Sequence, residues 1–256
     1  MSETLPCTVS AQEAQDGEAT TVAMDGYPQV FPVSGVLADN LNQNLDSLRE
    51  RIGANNDVVY SYVVASIRCE REHFVQLGSA PNFQGDLITL CTCKHQMRSR
   101  LDAHSWIGKW VAGFSGRGAT RDGRRYLVYL MRIRQAFKSQ QELWLALAEH
   151  TRQAKSSVTQ RLGDLYEPEQ PPGDPFDPHS YLAPRVDHTH AAHNGWYRDI
   201  AYTGRSKRRP ALLVGDARQT FLWNRPLLAA SFDVPRDYTR KRLQELLRPV
   251  AGDGLR

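Results

Sequence analysis

The densest group of chemically useful side chains in this sequence is CTCKH, Cys91 to His95. A thiol beside a cation can act as a nucleophile, because the thiolate is the attacking form and Lys94 would stabilise it on Cys93. Neighbours on a strand point to opposite faces, so adjacency in sequence does not by itself pair them in space. The same cysteines also read as small apolar groups filling a sheet. A lone Cys-x-Cys lacks the second pair that a zinc site needs. GFSGRGA, Gly113 to Ala119, sets three glycines around Ser115 and Arg117. Glycines let main-chain N–H groups approach an anion, and Arg117 can clamp a phosphate. The pattern is neither Walker nor Rossmann, and a plain connecting loop is the alternative.

Three further segments carry candidate chemistry. In GDLYEP, Gly163 to Pro168, Asp164 offers a base or an acceptor and Tyr166 a stacking ring. A turn holding a packed tyrosine is the plainer reading. DHTHAAH supplies His188, His190 and His193, with His179 upstream. Their spacing fits no metal-binding helix, so we expect a polar loop with no metal ligand set and no cofactor. GRSKRRP, Gly204 to Pro210, is a basic run suited to solvent or to phosphate.

These residues need elements to hold them. VVYSYVVASI (Val58 to Ile67), DLITLCTC (Asp86 to Cys93), KWVAGF (Lys109 to Phe114) and RYLVYLMRIRQ (Arg125 to Gln135) read as strands. Arg121 to Arg124 makes a turn before the fourth. ALLVGD (Ala211 to Asp216) and RQTFLWN (Arg218 to Asn224) read as a closing pair. Helical spacing appears over Val36 to Ile52, over the residues after Ser139, which caps QQELWLALAEHTRQ, and in the tail from Pro235. The expected fold is α+β, with a curled, mainly antiparallel sheet or a small barrel-like core and peripheral helices.

The chain has 256 residues and a formal charge of +4. That charge is polarised: residues 1–56 carry −6 and the remaining 200 carry +10. From Lys94 to Arg134 there are ten Lys or Arg and only two acids, Asp102 and Asp122. Such a field suits a phosphate-bearing ligand, and a solvated basic surface is the bland alternative. We expect residues 1–35 to be an acidic, disordered leader and 36–256 a single domain, with a Pro- and His-rich insertion at about 167–195. No apolar run reaches about 18 residues, and the N-terminus lacks a basic start and an apolar centre. We therefore expect a cytoplasmic protein without membrane contact. Four cysteines in so long a chain do not make a disulfide framework.

In order, YSYVV, APNFQGDLITLCTCKHQMR, IGKWVAGFSGRG, LVYLMRI and GDLY, spanning Tyr60 to Tyr166, resemble the nucleotide modification associated domain family, second type. Members of that family sit in gene neighbourhoods that handle unusual nucleic-acid bases. The resemblance implies an α+β domain of a base-modification pathway, with DNA or a nucleotide and other proteins of that pathway as partners. By position it marks Asn82, Thr92, Cys93, Lys94, Arg98, Trp110, Gly113, Asp164 and Tyr166. One departure is Gly108-Lys109-Trp110, where the family tends to Gly-Asp-Trp.

Together these readings lead to an expectation of action on a modified purine, such as a 7-deazaguanine-type base, in DNA or as its nucleotide precursor. Cys93 would be nucleophile, Lys94 electrostatic helper and Asp164 acid–base partner. Asn82, Arg98, Ser115 and Arg117 would bind the ligand, with Trp110 and Tyr166 stacking on the base. A reader that binds modified bases without chemistry is the alternative, and a structural subunit a third.

Overall fold

The structure, a computed structural model, describes residues 31–77, 80–156, 164–183, 195–204 and 207–250. The disorder expected of the leader therefore concerns mainly residues outside those described, and so do His188, His190 and His193. Within them the chain is α+β. Strands β1 (Val58–Val63), β4 (Thr89–Leu90), β5 (Trp110–Phe114), β6 (Leu127–Phe137), β7 (Leu212–Leu222) and β8 (Thr239–Arg242) form one sheet. Its order is β4-β7-β6-β5-β1-β8. Only β1 and β5 run parallel; every other neighbouring pair is antiparallel. The sheet is open, with β4 and β8 at its edges, so the barrel-like closure is not formed. A small hairpin, β2 (Ile67–Glu70) and β3 (His73–Gln76), stands apart from it.

Side chains alternate across the sheet, which separates two cores. One face carries Tyr60, Tyr62, Val111, Tyr129, Met131 and Leu213, covered by Met97, Trp106 and Phe83. The other carries Val59, Val63, Trp110, Ala112, Phe114 and Leu130, covered by Leu48, Trp223 and Leu243. No helix among the described residues is long and apolar enough to cross a membrane.

Several expected elements come out differently. The pair of strands expected at 211–224 is one strand, β7, whose register against β6 jumps from Ile133↔Gly215 to Met131↔Thr220. Asp216 holds the intervening bulge by accepting from the main-chain N–H of Arg218 at 2.9 Å. The buried Asn40 then donates to the carbonyls of Ala217 (3.0 Å) and Thr220 (2.8 Å). That role breaks the helix expected over 36–52 into α1 (Gly35–Asp39) and α2 (Leu45–Ile52). The helix capped by Ser139 divides at Leu147 into α5 (Gln140–Ala146) and α6 (Glu149–Lys155). The tail forms β8 before a single helical turn, because β1 would otherwise present an unpaired edge.

Gly113 explains its own place in the sheet. It sits in register between Tyr62 on β1 and Tyr129 on β6. A Cβ there would lie 2.2 Å from Tyr129 Cε1. Without one, the Tyr129 ring leans across and its hydroxyl donates to that of Tyr62 at 2.7 Å. Gly113→Ala should therefore lower the unfolding free energy by about 1–3 kcal/mol through overpacking. Urea denaturation checks this, and an unchanged midpoint would contradict the packing described.

Candidate functional site

After β4 the chain leaves the sheet, so the strand expected through Cys93 ends at Leu90. Cys91 to Lys94 form an irregular turn, with Lys94 in the left-handed region (φ 60°) before the short helix α3 (His95–Arg98). Two buried ionisable side chains hold this turn. The Arg98 guanidinium donates to the carbonyls of Thr92 (2.5 Å), Cys93 (2.7 Å) and Ala211 (2.6 Å). The Asp164 carboxyl accepts from Thr89 Oγ1 (2.5 Å) and from the Cys91 N–H (2.9 Å). Burial pushes the Asp164 carboxyl up and the Arg98 guanidinium down.

On this locked backbone Cys93 and Lys94 are half-buried. Lys94 Nζ lies 5.1 Å from the centre of the Tyr62 ring and donates to the Arg236 carbonyl at 2.5 Å. Burial pushes its ammonium down, and the neighbouring Cys93 is the leading influence in the other direction. Cys91, by contrast, is fully buried and its thiol is pushed up by burial, which leaves it inert. The Thr92 hydroxyl between them is buried without a hydrogen-bond partner among the described residues.

A second network adjoins the turn. His95 Nε2 lies 2.8 Å from Asp199 Oδ1, and Tyr166 donates to Asp199 Oδ2 at 3.0 Å. Asp199 comes from helix α7 (Tyr197–Ala201), and Tyr202 stacks on the His95 ring at 4.7 Å. Burial pushes the His95 imidazole down, with Asp199 opposing the shift.

The expected site residues thus fall into three groups. Cys93, Lys94, Arg98 and Asp164 do share one locale. Arg98 has three donors spent on carbonyls, and both Asp164 oxygens are occupied. Asn82 is likewise buried, donating to the Lys155 carbonyl at 3.2 Å and accepting from the Gln84 N–H at 2.9 Å. Tyr166 is buried against Trp196, so its ring has no open face for a base. Trp110 belongs to the opposite core, behind the sheet, and Ser115 is buried with its hydroxyl accepting from the Tyr126 N–H at 2.9 Å. Arg117 is exposed (68%) and pairs with Asp233 at 3.2 Å. The structure adds His95, Asp199, Tyr62, Tyr129 and Lys155. His95 stood inside the CTCKH motif, but nothing in WYRDIA marks Asp199 as its partner.

Among the described residues no three His, Cys, Asp or Glu side chains gather as a metal ligand set. Residues 56–182 match the family model described as nucleotide modification associated domain 2, which bears out the resemblance read over Tyr60 to Tyr166. No curated protein and no solved structure matches the chain.

Lys155 is the clearest handle on the buried polar cluster. It donates to the carbonyls of Asn82 (3.2 Å) and Leu87 (2.8 Å), and burial pushes its ammonium down to about 8 from 10.5. Between those values the unfolded chain keeps a proton that the folded chain has released, so stability rises with pH there. Lys155→Met should remove that rise, a difference on the order of 3 kcal/mol across the window. Urea unfolding of both proteins along a pH series measures it.

Proposed function

Taking the family match over residues 56–182 as premise, we propose that this chain acts in a nucleotide-modification system, on a modified purine in DNA or its nucleotide precursor, at the Cys93–Lys94–His95 turn. The observation that carries this reading is the turn itself. Its backbone is locked by the buried Asp164 and Arg98 side chains, while its thiol and its ammonium remain half-buried. Preorganised reactive groups on a fixed backbone are what covalent catalysis requires.

A 7-deazaguanine-type base bearing a nitrile is a substrate class that such a thiol can convert. The Cys93 sulfur adds to the nitrile carbon, a C–S bond forms, and one C≡N electron pair moves to nitrogen. That nitrogen takes up the proton given by the thiol, leaving a thioimidate. Water then adds at the same carbon, the C–S bond breaks, and the thiol is restored as the amide departs. One water is consumed per nitrile, and no oxidant or reductant is needed. Lys94 supplies a positive field where negative charge develops. Asp164 enters as a positioning residue rather than an acid–base partner, because both its oxygens are engaged.

Phosphate contact moves from Arg98 and Arg117 to Arg100, Arg208 and Arg236. All three are exposed, Arg208 donates to the Arg100 carbonyl at 2.6 Å, and Arg236 accepts from Lys94. The catalytic reading and the reader alternative both drew a stacking platform from Trp110 and Tyr166. Their burial removes that platform from both, and the half-buried thiol of Cys93 is what supports the catalytic reading.

The test is nucleoside mass spectrometry of host DNA with the gene intact, deleted, or carrying Cys93→Ala. Deletion and Cys93→Ala should both remove a modified nucleoside and accumulate its precursor. A Cys93→Ala profile identical to the intact gene would remove Cys93 from the chemistry. A profile unchanged by deletion would overturn the enzymatic reading.

A further inference from the structure

We propose that Arg100, Arg208, Arg236 and Arg240, gathered beside the Cys93–Lys94 turn, bind the phosphate backbone of a single nucleic-acid strand. The proposal rests on the reading of that turn as the site, and it selects the polymer over the free nucleotide as the form of the substrate.

A series of contacts joins these residues. Arg208 donates to the Arg100 carbonyl at 2.6 Å. Arg100 in turn donates through Nε to the Tyr238 hydroxyl, and its guanidinium lies 5.9 Å from the centre of that ring. Tyr238 is backed by Tyr60, whose ring is 6.3 Å away. Arg240 stands opposite Tyr60 in the register of β8 against β1, so it belongs to the face of the sheet that carries Tyr60. The Arg236 carbonyl accepts from Lys94, which ties this segment to the turn. Cys93 and Tyr238 both pack against the core that holds Tyr60 and Tyr62. The thiol and the basic surface therefore lie on one side of the sheet.

The basic run GRSKRRP is anchored beside this group. A Cβ on Gly204 would lie 2.6 Å from Ser99 Oγ, so the loop packs directly on the residue before Arg100. The Gly204 N–H donates to the Arg208 carbonyl at 2.9 Å, and the Lys207 N–H to the Gly204 carbonyl at 2.8 Å. Lys207 and Arg208 are exposed, while Arg209 stacks on Phe176 at 3.9 Å.

The charge on this surface is not neutralised from within. Arg100, Arg208, Arg236 and Arg240 are exposed, and none has a carboxylate partner among the described residues. Arg117, elsewhere on the surface, is paired with Asp233. Asp102 spends its oxygens on Ser105, which donates from its N–H at 2.9 Å and its hydroxyl at 2.8 Å. Burial is the main cause that pushes the Lys94 ammonium down, and the like charge of Arg236 adds to it against Asp237. A bound phosphate would relieve that crowding. A lone phosphate is satisfied by a bidentate guanidinium or a pair of them. Arginines from separate segments, with Lys207 beside them, suit the successive phosphates of a strand. An unpaired strand also presents its bases, as attack by Cys93 requires.

Fluorescence anisotropy with the full chain and a labelled single-stranded DNA of about 20 nucleotides tests this. Log affinity should fall with log salt at a slope of about −3, the value for roughly four phosphate contacts on a single strand. Combining Arg100→Gln with Arg208→Gln should weaken binding about tenfold at low salt and flatten the slope by about 1.4. Arg240→Gln alone should flatten it by about 0.7. Arg51→Gln, whose guanidinium sits over Phe221 in the opposite core, should bind as wild type does. Circular dichroism checks folding, and Arg240→Gln decides alone if the double variant is misfolded. Wild-type binding by the folded variants would overturn the proposal, and so would equal weakening by Arg51→Gln. Displacement of the strand by dGMP or dGTP at equal phosphate concentration would overturn it in favour of a nucleotide. Tighter binding to phosphatidylserine vesicles than to the strand would overturn it in favour of a membrane surface. Host nucleosides altered by deletion, with strand binding indifferent to these arginines, would sink this inference and leave the Cys93 reading standing. Arginine-dependent strand binding with unchanged nucleosides would remove the enzymatic reading and keep the surface.

Discussion

The Arg98 guanidinium is the interaction on which the rest of the site depends. It is buried, and its donors close on three main-chain carbonyls rather than on a carboxylate. A bare cation in such a place would be expelled by desolvation. Three carbonyl dipoles and the nearby Asp164 and Asp199 offset that penalty. The geometry also requires arginine: its planar fork reaches several fixed acceptors at once, which an ammonium cannot do with the same directions. Since two of the three carbonyls belong to Thr92 and Cys93, the turn that carries Cys93 and Lys94 has little freedom to rearrange. The third, Ala211, immediately precedes β7, which lies in the sheet between the edge strand β4 and β6.

The same cation accounts for the placing of two acids. Asp164 is bonded to Thr89 and Cys91, and Asp199 to Tyr166 and beside His95. Each is enclosed, and neither would be stable as an anion without positive charge at hand. Lys155 favours the charged form of Asp164 and is favoured by it in turn, while burial lowers its own proton affinity. The polar interior is therefore a set of mutually supporting charges and dipoles. Removing one member exposes the others, which is why mutational effects inside it will not add.

Much of the fold was legible because strands announce themselves locally. β1, β5 and β6 are β-branched and aromatic runs, and Ser139 caps its helix as its position suggests. The misreadings share one cause: a local pattern overridden by a partner distant in sequence. Asn40 interrupts a helix to serve the bulge in β7, and residues 239–242 become strand to cover β1. The candidate site divides in the same way. Cys93, Lys94, Arg98 and Asp164 were found together, because their segments carry the family pattern. Their division of labour was not legible, since a buried arginine bonded to carbonyls and a surface arginine awaiting phosphate are identical as letters. Trp110 shows the same limit, because one residue of strand register decides whether a ring faces the turn or the far core.

The matched segment is also not a complete structural unit. Within residues 56–182, β6 has β5 on one side only, and its other neighbour, β7, lies beyond the match. β4 pairs with β7 alone among the named strands, so the residues leading into the Cys91–Lys94 turn owe their position to a later strand. Arg98 needs the carbonyl of Ala211, Lys94 that of Arg236, and His95 the carboxylate of Asp199. Each of the three groups that define the turn therefore has a partner from the part of the chain outside the family pattern. The turn therefore takes its arrangement from completion of the sheet: Arg98, Lys94 and His95 reach the positions described only once β7 and the segments flanking it have docked.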